Sequence, residues 1–373
     1  MALPRLRLFS FRGIPIRLDA SWFAIAVLVT WSLAAQLFPA WHAGLPRTTY
    51  WVMGIAGALG LFASIVVHEL SHALIARRHD IPIEGITLFV FGGVAEMGAE
   101  PPSPKAELNM AIAGPLTSIA IGAAALAASA LGSGWPGAVV TVLAYLGLVN
   151  LLLAAFNLVP AFPLDGGRVL RALLWRRHGN VVRATHTASR VGIAFSVVLM
   201  ALGGFRVLTG DLLGGVWFFL IGMFLRQAAD ASYQQVVVRH ALENEPVRRF
   251  MTAGPVTVRP DLTLAEFLDS YVYRYHHKLF PVQDNGRLLG QISTEQLHQV
   301  PRADWPSRQV GAVTVPLAET VTVTPDTAAM QALGRMRQTG RSRLLVVDDG
   351  RLAGILSARD LLDFLALKLE LEP

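Results

Sequence analysis

Two histidines and a glutamate fall within five consecutive residues of a long apolar stretch. The segment His68-Glu69-Leu70-Ser71-His72 fits the pattern H-E-x-x-H. On a helix, residues four apart lie on one face, so both imidazoles can bind one metal ion. Glu69 then stands beside the ion as a base for water. The pattern predicts His68 and His72 as metal ligands and Glu69 as a catalytic base.

A third ligand must come from histidine, aspartate or glutamate, because the chain contains no cysteine. Pro160 and Pro163 are expected to end a helix, and Asp165 follows them, just before a Gly-Gly pair. Catalytic zinc sites use three protein ligands and leave one position for water. We therefore predict Asp165 as the third ligand, at about the same membrane depth as His72. A helix stop with a capping aspartate is the alternative.

Asn157 lies near the end of the apolar stretch that precedes Asp165. Its amide could donate to a substrate carbonyl or to a developing oxyanion. It could equally hydrogen-bond a neighbouring helix. Both interpretations remain open for Asn157. Gly114, in another apolar stretch, is expected to serve close helix packing.

The composition indicates a membrane protein, because 53% of the residues are hydrophobic and only 16% are charged. A helix needs about 20 apolar residues to span a bilayer. We predict about six transmembrane helices in a polytopic α-helical domain over residues 1–225. The apolar stretches are 21–38, 51–76, 106–131, 136–159, 191–208 and 212–225.

The net charge of +6 comes with arginines that cluster beside these stretches. They precede the first, follow the second and fill the segment between the fourth and the fifth. Because cytoplasmic loops are rich in basic residues, we expect the N-terminus and the C-terminal region to face the cytoplasm. The expected location is the plasma membrane, and nucleic-acid binding is not expected.

A β-prone segment lies between the second and third stretches, over residues 81–100. Its alternating apolar residues end at Phe91-Gly92-Gly93, a turn signal. We predict a membrane-associated β-hairpin or sheet whose edge, within residues 83–91, accepts an extended substrate. A plain surface loop is the alternative.

The C-terminal part contains two copies of one unit. The sequence Val256-Thr257-Val258-Arg259-Pro260-Asp261 recurs as Val321-Thr322-Val323-Thr324-Pro325-Asp326. We predict a linker over 226–244 and a soluble α/β domain over 245–373. Its repeats are expected at about 246–300 and 309–368, packed against each other to complete a core.

The pairing of H-E-x-x-H with Asn157, Pro160 and Leu164-Asp165-Gly166-Gly167 resembles the site-2 protease family of intramembrane metalloproteases. The resemblance implies one Zn²⁺ per chain, held by His68, His72 and Asp165, with Glu69 as general base. It gives Asn157 a role at the substrate or transition state. Phe91-Gly92-Gly93 resembles the family's β region, thought to pair with substrate. The implied partners are a transmembrane protein substrate and the lipid bilayer.

The two C-terminal repeats resemble a tandem pair of CBS domains, which commonly bind adenine nucleotides such as ATP or AMP. The resemblance implies that Ser357 contacts phosphate and that Asp360 contacts the ribose. The first repeat has Gln296 where an aspartate is expected, so its site is in doubt. A purely structural pair, or one that forms a homodimer, is the alternative.

Two other functions are compatible with parts of this sequence. A transporter or channel with a CBS tail would explain the apolar stretches, although they show no internal repeat. A catalytically inactive binding protein would retain the fold. An intact Glu69 argues against the second.

Overall fold

The computed structural model describes residues 6–90, 92–132, 134–243 and 245–371. The chain forms two compact units, Met1–Val236 and Val237–Pro373. After the resemblances described above, they are called the membrane unit and the CBS unit below.

The membrane unit is built mainly from long apolar helices. Six helical segments are long and apolar enough to cross a membrane, as predicted. The first combines α1, a π-helical turn and α2 into Ala20–Trp41. The helices are α1 (Ala20–Ser32), α2 (Phe38–Trp41), α3 (Arg47–Arg77), α4 (Pro104–Leu131), α5 (Gly137–Asn157), α6 (Asp165–His178), α7 (Val181–Leu208) and α8 (Leu212–Leu242).

Small residues set the spacing of these helices. A Cβ on Gly54 of α3 would come within 2.8 Å of the Thr30 carbonyl oxygen on α1. A Cβ on Gly122 of α4 would lie 3.0 Å from the Gly147 oxygen on α5. Close approach of this kind is how helices pack in lipid, where apolar burial gives little driving force.

Helix α8 differs from the prediction, which ended the last span at residue 225. It continues without interruption to Leu242, and the boundary between the two units falls inside it. Residues 226–242 of the expected linker are therefore helical.

A four-stranded sheet accompanies the helices, in the order β1-β2-β3-β4. The predicted hairpin is formed by β3 and β4. The N-terminal hairpin was not predicted. It adds β2 in parallel register to β3, so β3 has partners on both sides and the expected pairing edge within 83–91 is wrong. The strands are β1 (Leu6–Phe11), β2 (Ile14–Leu18), β3 (Ile83–Phe89) and β4 (Gly92–Met97).

The CBS unit contains two small sheets, ordered β5-β11-β10-β9 and β6-β7-β8. Strand β5 of the first repeat pairs with β11 of the second, and β8 pairs with β7 of the first. Each repeat therefore completes the other's sheet. The strands are β5 (Thr252–Ala253), β6 (Leu279–Asp284), β7 (Arg287–Ser293), β8 (Val315–Pro316), β9 (Thr322–Val323), β10 (Arg343–Asp348) and β11 (Arg351–Ser357).

Each repeat also has its own buried core. Phe267 and Phe280 lie in the core of the first repeat, and Leu344 lies in that of the second. Leu242, at the end of α8, belongs to the second core. The helices are α9 (Leu264–Phe267), α10 (Tyr273–Tyr275), α11 (Thr294–His298), α12 (Ala329–Thr339) and α13 (Ala358–Leu371).

Candidate metal centre

The structure brings His68, His72 and Asp165 together at one point. Oδ2 of Asp165 lies 3.2 Å from Nε2 of His68 and 3.2 Å from Nε2 of His72. The two Nε2 atoms are 3.1 Å apart. His68 is 3% exposed and His72 is 9% exposed, so the cluster is almost closed to solvent.

Two different local structures supply these side chains. The histidines lie one turn apart on α3, where helical geometry aligns their imidazoles. Asp165 is the first residue of α6 and follows a turn over residues 158–164. A Cβ on Gly166 would overlap the Leu158 carbonyl, and one on Gly167 would overlap the backbone of Phe162. Only glycine therefore lets α6 begin directly against this turn.

Helix α4 fixes the orientation of both imidazoles. Nδ1 of His72 donates to the Met110 carbonyl oxygen at 2.7 Å, and Nδ1 of His68 lies 2.9 Å from Oγ of Ser118. A carbonyl can only accept, so the proton of a neutral His72 ring is on Nδ1. Its Nε2 is then free to bind a metal. Partners of this kind usually fix ligand orientation at metal sites.

Gly114 leaves the space that an ion would need. A Cβ built on Gly114 would overlap Nε2 of both His68 and His72. Gly114 does allow the close helix approach expected from the sequence, but the approach occurs directly at the imidazoles. Two nitrogen donors and a carboxylate around such a space match the donor set of catalytic zinc. The residues therefore fit zinc.

The electrostatics of Asp165 suit a metal ligand. Burial by itself raises the pKa of this carboxyl. When no metal is bound and the two imidazoles carry protons on Nε2, their hydrogen bonds and positive charges lower it further than burial raises it. The net result holds the pKa of Asp165 well below its usual range, so its carboxylate is ionised and able to coordinate.

Glu69 and Asn157 line two cavities that meet at the metal centre. The cavities measure about 340 and 290 Å³, and both are also lined by His68, Gly93 and Leu164. The larger one contains Arg168 and Ser232, whereas the smaller one is lined mainly by apolar side chains.

The end of β4 contacts the predicted catalytic base. A Cβ on Gly93 would lie 2.6 Å from Cγ of Glu69, so the strand packs directly on this side chain. Gly92 has a φ of +130°, which favours glycine, and it lines the smaller cavity. Phe91, predicted as a substrate contact, lies outside the described residues.

The nucleotide residues predicted in the second CBS repeat form a helix cap. The Ser357 amide donates to Oδ2 of Asp360 at 2.8 Å, and the Asp360 amide donates to Oγ of Ser357 at 3.2 Å. A cavity of about 160 Å³ lies elsewhere in this unit. The described residues that line it include Lys278, Ser293 and Arg341, and neither Ser357 nor Asp360 is among them.

Comparison with known proteins identifies the family of this chain. The model of peptidase family M50 matches residues 56–135 and 132–199. The chain is 39% identical over 352 residues to a Mycobacterium tuberculosis protein named as the zinc metalloprotease Rip3, covering 93% of this chain and 89% of that protein. This chain belongs to peptidase family M50. The M50 enzyme also carries matches to the CBS domain model at residues 247–300 and 310–367.

Two archaeal proteins extend the comparison. Zinc metalloprotease MJ0392 of Methanocaldococcus jannaschii is 33% identical over 374 residues, covering 98% of each chain. The solved site-2 protease of the same organism is 31% identical, with a TM-score of 0.43, over 61% of this chain and 94% of that one.

Membership in family M50 confirms that the chain is a site-2 protease-like zinc metalloendopeptidase. The six long apolar helices of the described residues make it a multi-pass membrane protein. The tandem CBS prediction is also confirmed, since both matched segments lie inside the predicted repeats.

Proposed function

We propose that this M50 peptidase cleaves peptide bonds within or near transmembrane segments of substrate proteins, in regulated intramembrane proteolysis. The observation that carries the proposal is the convergence of His68, His72 and Asp165. The two histidines and Glu69 lie on α3, a helix that is apolar enough to span a membrane. Ionisable groups at such a depth are costly and usually functional. Water supplied to this point would serve hydrolysis inside the bilayer.

His68, His72 and Asp165 would hold the zinc ion through the two Nε2 atoms and a carboxylate oxygen. When bound, zinc polarises a carbonyl group and lowers the pKa of its water to about 7. The outer contacts to Ser118 and Met110 keep both rings turned toward the site. The chain therefore preorganises the ligands before substrate arrives.

Glu69 acts as the general acid–base. It lines both cavities and follows His68 directly on α3, within reach of a water molecule beside the ligands. Its carboxylate accepts a proton from the attacking water and then delivers it to the leaving amine. Proton transfer of this kind typically contributes about 10²–10⁴-fold to the rate.

Asn157 would act on the substrate carbonyl. It ends α5, is half-buried and lines the same two cavities as Glu69. Its side-chain amide can donate a hydrogen bond to the oxygen that gains negative charge during attack. The cavities give this amide a neighbouring volume in which a substrate backbone can lie.

Strand β4 would hold the substrate in an extended form. A helical substrate hides its carbonyls in its own hydrogen bonds, so cleavage requires an extended segment. Strand β4 is at one edge of the sheet, and its Gly93 touches Glu69. Pairing with that edge would bring a peptide bond beside the base, with Gly92 and Gly93 as substrate contacts.

Replacing Glu69 by Gln tests the proposal. The Glu69→Gln protein should retain zinc and lose cleavage by about 10²–10⁴-fold, because only the proton acceptor is removed. Glu84→Gln, at an exposed position of β3, is the matched control.

Membrane peptidomes of cells with active and Glu69→Gln protein would identify the substrates. Undiminished cleavage by the zinc-loaded Glu69→Gln protein would contradict the assignment, and solute flux without cleavage in proteoliposomes would favour a transporter.

We propose the plasma membrane as the location, with the N-terminus and the CBS unit in the cytoplasm. The basic clusters described above support this orientation. The absence of cysteine allows a direct test, because single cysteines at Arg12 and Arg337 can be labelled with impermeant reagents. Labelling only after cell lysis is expected, and labelling of intact cells would reverse the topology.

We propose further that the CBS unit binds an adenine nucleotide and thereby regulates cleavage. Ser357 and Asp360 would contact the phosphate and the ribose, and the separate cavity beside Lys278 and Arg341 is a second candidate place for a phosphate group. A ligand shifts activity only if it binds two states with different affinity. Titration of the full chain with ATP and AMP, using Asp360→Ala and Arg341→Ala in parallel, tests both places.

We also propose that the CBS unit forms a homodimer. Leu362 and Leu367 of α13 are 62% and 53% exposed, which leaves apolar surface for a second copy. Light scattering of the full chain should give twice the monomer mass, and Leu362→Glu should reduce it.

A further inference from the structure

A buried ion pair joins the helix that begins at Asp165 to the helix that orients the histidines. Nε and Nη2 of Arg171, on α6, both donate to Oε1 of Glu107 on α4. Glu107 is 0% exposed and Arg171 is 5% exposed. Solvent therefore does not screen this contact, and its geometry is fixed by two hydrogen bonds to one oxygen.

The pair connects the two halves of the metal centre. Arg171 lies six residues after Asp165 on α6, and Glu107 lies three residues before Met110 on α4. Met110 and Ser118 of α4 are the partners of His72 and His68. Helix α4 thus provides no ligand of its own, but it is in contact with the elements that carry all three.

Arg171 also touches the turn that leads into Asp165. Its guanidinium lies over the Phe162 ring, 5.1 Å from the centroid, and Phe162 is 4% exposed. The backbone of Phe162 is enclosed in turn, because a Cβ on Gly167 or Gly192 would overlap it. One arginine therefore fixes the turn, the start of α6 and α4 relative to one another.

Stability alone is a weak reason for such a pair. Burying two charges costs desolvation that their attraction often fails to recover, and apolar replacements of similar volume are frequently neutral or stabilising. Oε2 of Glu107 has no hydrogen-bond partner among the described residues, which adds to that cost. An apolar pair would lack the directional hydrogen bonds that fix α4 relative to α6.

We propose that Glu107 and Arg171 are positioning residues that hold the Asp165 carboxylate at coordinating distance from His68 and His72. This inference rests on the proposed ligand set. Neither residue lines either cavity at the metal centre. Their effect is exerted through the placement of α6, which carries the third ligand, against α4, which fixes the other two.

The test uses the full-length protein and the double variant Glu107→Leu/Arg171→Met, which removes both charges at similar volume. We expect a thermal unfolding temperature close to that of the unchanged protein. We also expect Zn²⁺ affinity, measured against a competing chelator, to fall, by at most the about 10–100-fold that follows loss of a group bonded directly to a metal ligand. The visible spectrum of the Co²⁺-substituted protein should change as the carboxylate moves.

The exposed ion pair Arg206–Asp211 provides the matched control. Its side chains are each 50% exposed, and Arg206→Met/Asp211→Asn should leave both Zn²⁺ affinity and the Co²⁺ spectrum unchanged. Arg171→Lys keeps the charge but loses the paired donors, and it should give an intermediate affinity. If the double variant does not fold, Arg171→Lys decides the question in its place.

Unchanged Zn²⁺ affinity and an unchanged Co²⁺ spectrum in the folded double variant, or in Arg171→Lys where that replaces it, would overturn the positioning role. Asp165→Asn, measured in parallel, separates this result from failure of the ligand set. If Asp165→Asn loses zinc while the double variant keeps it, only the positioning inference fails. If Asp165→Asn also keeps zinc, the proposed ligand set is wrong.

Discussion

The metal centre and the second CBS repeat both contain polar side chains that a sequence motif singles out, but they differ in which atoms remain available. In the metal centre, each imidazole bonds through Nδ1 to α4 and keeps Nε2 directed at its neighbours. In the CBS repeat, Ser357 and Asp360 bond each other's backbone amides. The first arrangement leaves the Nε2 atoms available for coordination. The second uses the side-chain oxygens of Ser357 and Asp360 to cap α13.

The difference lies in where the partners come from. The histidines are held by another helix, so their second nitrogen is not needed for local structure. Ser357 and Asp360 are held within their own segment, because a serine three residues before an acidic residue forms a capping box. Ser293 and Gln296 form the same box in the first repeat. A motif therefore specifies residue types, whereas the hydrogen-bond partners of those side chains determine whether an atom remains available for binding.

Removing Asp165, the proposed third ligand, should have the largest effect on the metal centre. Asp165→Asn removes the negative charge that completes the donor set, and we expect zinc affinity to fall by more than about 100-fold, beyond the usual outer-contact effect. Metal content after dialysis measures the loss. Asp211→Asn, at an exposed aspartate, should retain full occupancy. If the Asp165→Asn protein still holds zinc, Asp165 is not a ligand and the contrast with the CBS repeat fails.

Removing the hydroxyl that holds His68 should have a smaller effect. Ser118→Ala frees the ring to rotate, and zinc affinity is expected to fall by about 10–100-fold while the fold is retained. Thr117→Val is the neighbouring control, since Oγ1 of Thr117 bonds only the Ala113 carbonyl of its own helix. Equal affinities for the two variants would show that α4 does not orient the imidazole.

The smallest effect is expected in the CBS unit. Ser357→Ala removes a helix cap and should lower the stability of the full chain by about 1 kcal/mol. Ser293→Ala removes the equivalent cap of α11 and should cost a similar amount. Nucleotide titration separates two roles of Ser357. If Ser357→Ala loses ATP affinity and Ser293→Ala does not, Ser357 binds the nucleotide as well as capping α13. If both variants bind ATP equally well, Ser357 serves only as a helix cap.

The parts of the fold that the sequence predicted correctly have local patterns. H-E-x-x-H depends on helical spacing alone, and the apolar stretches depend on the thickness of the bilayer. The β3–β4 hairpin follows from alternation that ends at Gly92. The tandem repeats follow from internal similarity. In the first three cases neighbouring residues contain the whole signal, and for the repeats the two copies can be compared directly in the sequence.

The parts that escaped prediction depend on contacts between distant segments. Met110 orients His72 through its main-chain carbonyl, which no side-chain pattern reveals. The arginine-rich segment after Asp165 has the composition of a basic loop, yet it forms the amphipathic helix α6. The N-terminal strands were obscured because their arginines were interpreted as a topology signal. Four-residue spacing from Met110 through Gly114 to Ser118 was the one available sign that α4 faces the site.

Gly114 lies directly against both imidazoles, where no larger side chain fits. A single methyl group at that position would overlap Nε2 of both imidazoles and disturb the proposed ion site, although His68, His72, Asp165 and Glu69 were all still present. Loss of catalysis during evolution therefore need not begin at the residues that define the motif. An intact H-E-x-x-H accompanied by alanine at the equivalent of Gly114 would mark a folded descendant that binds substrates and no longer cuts them.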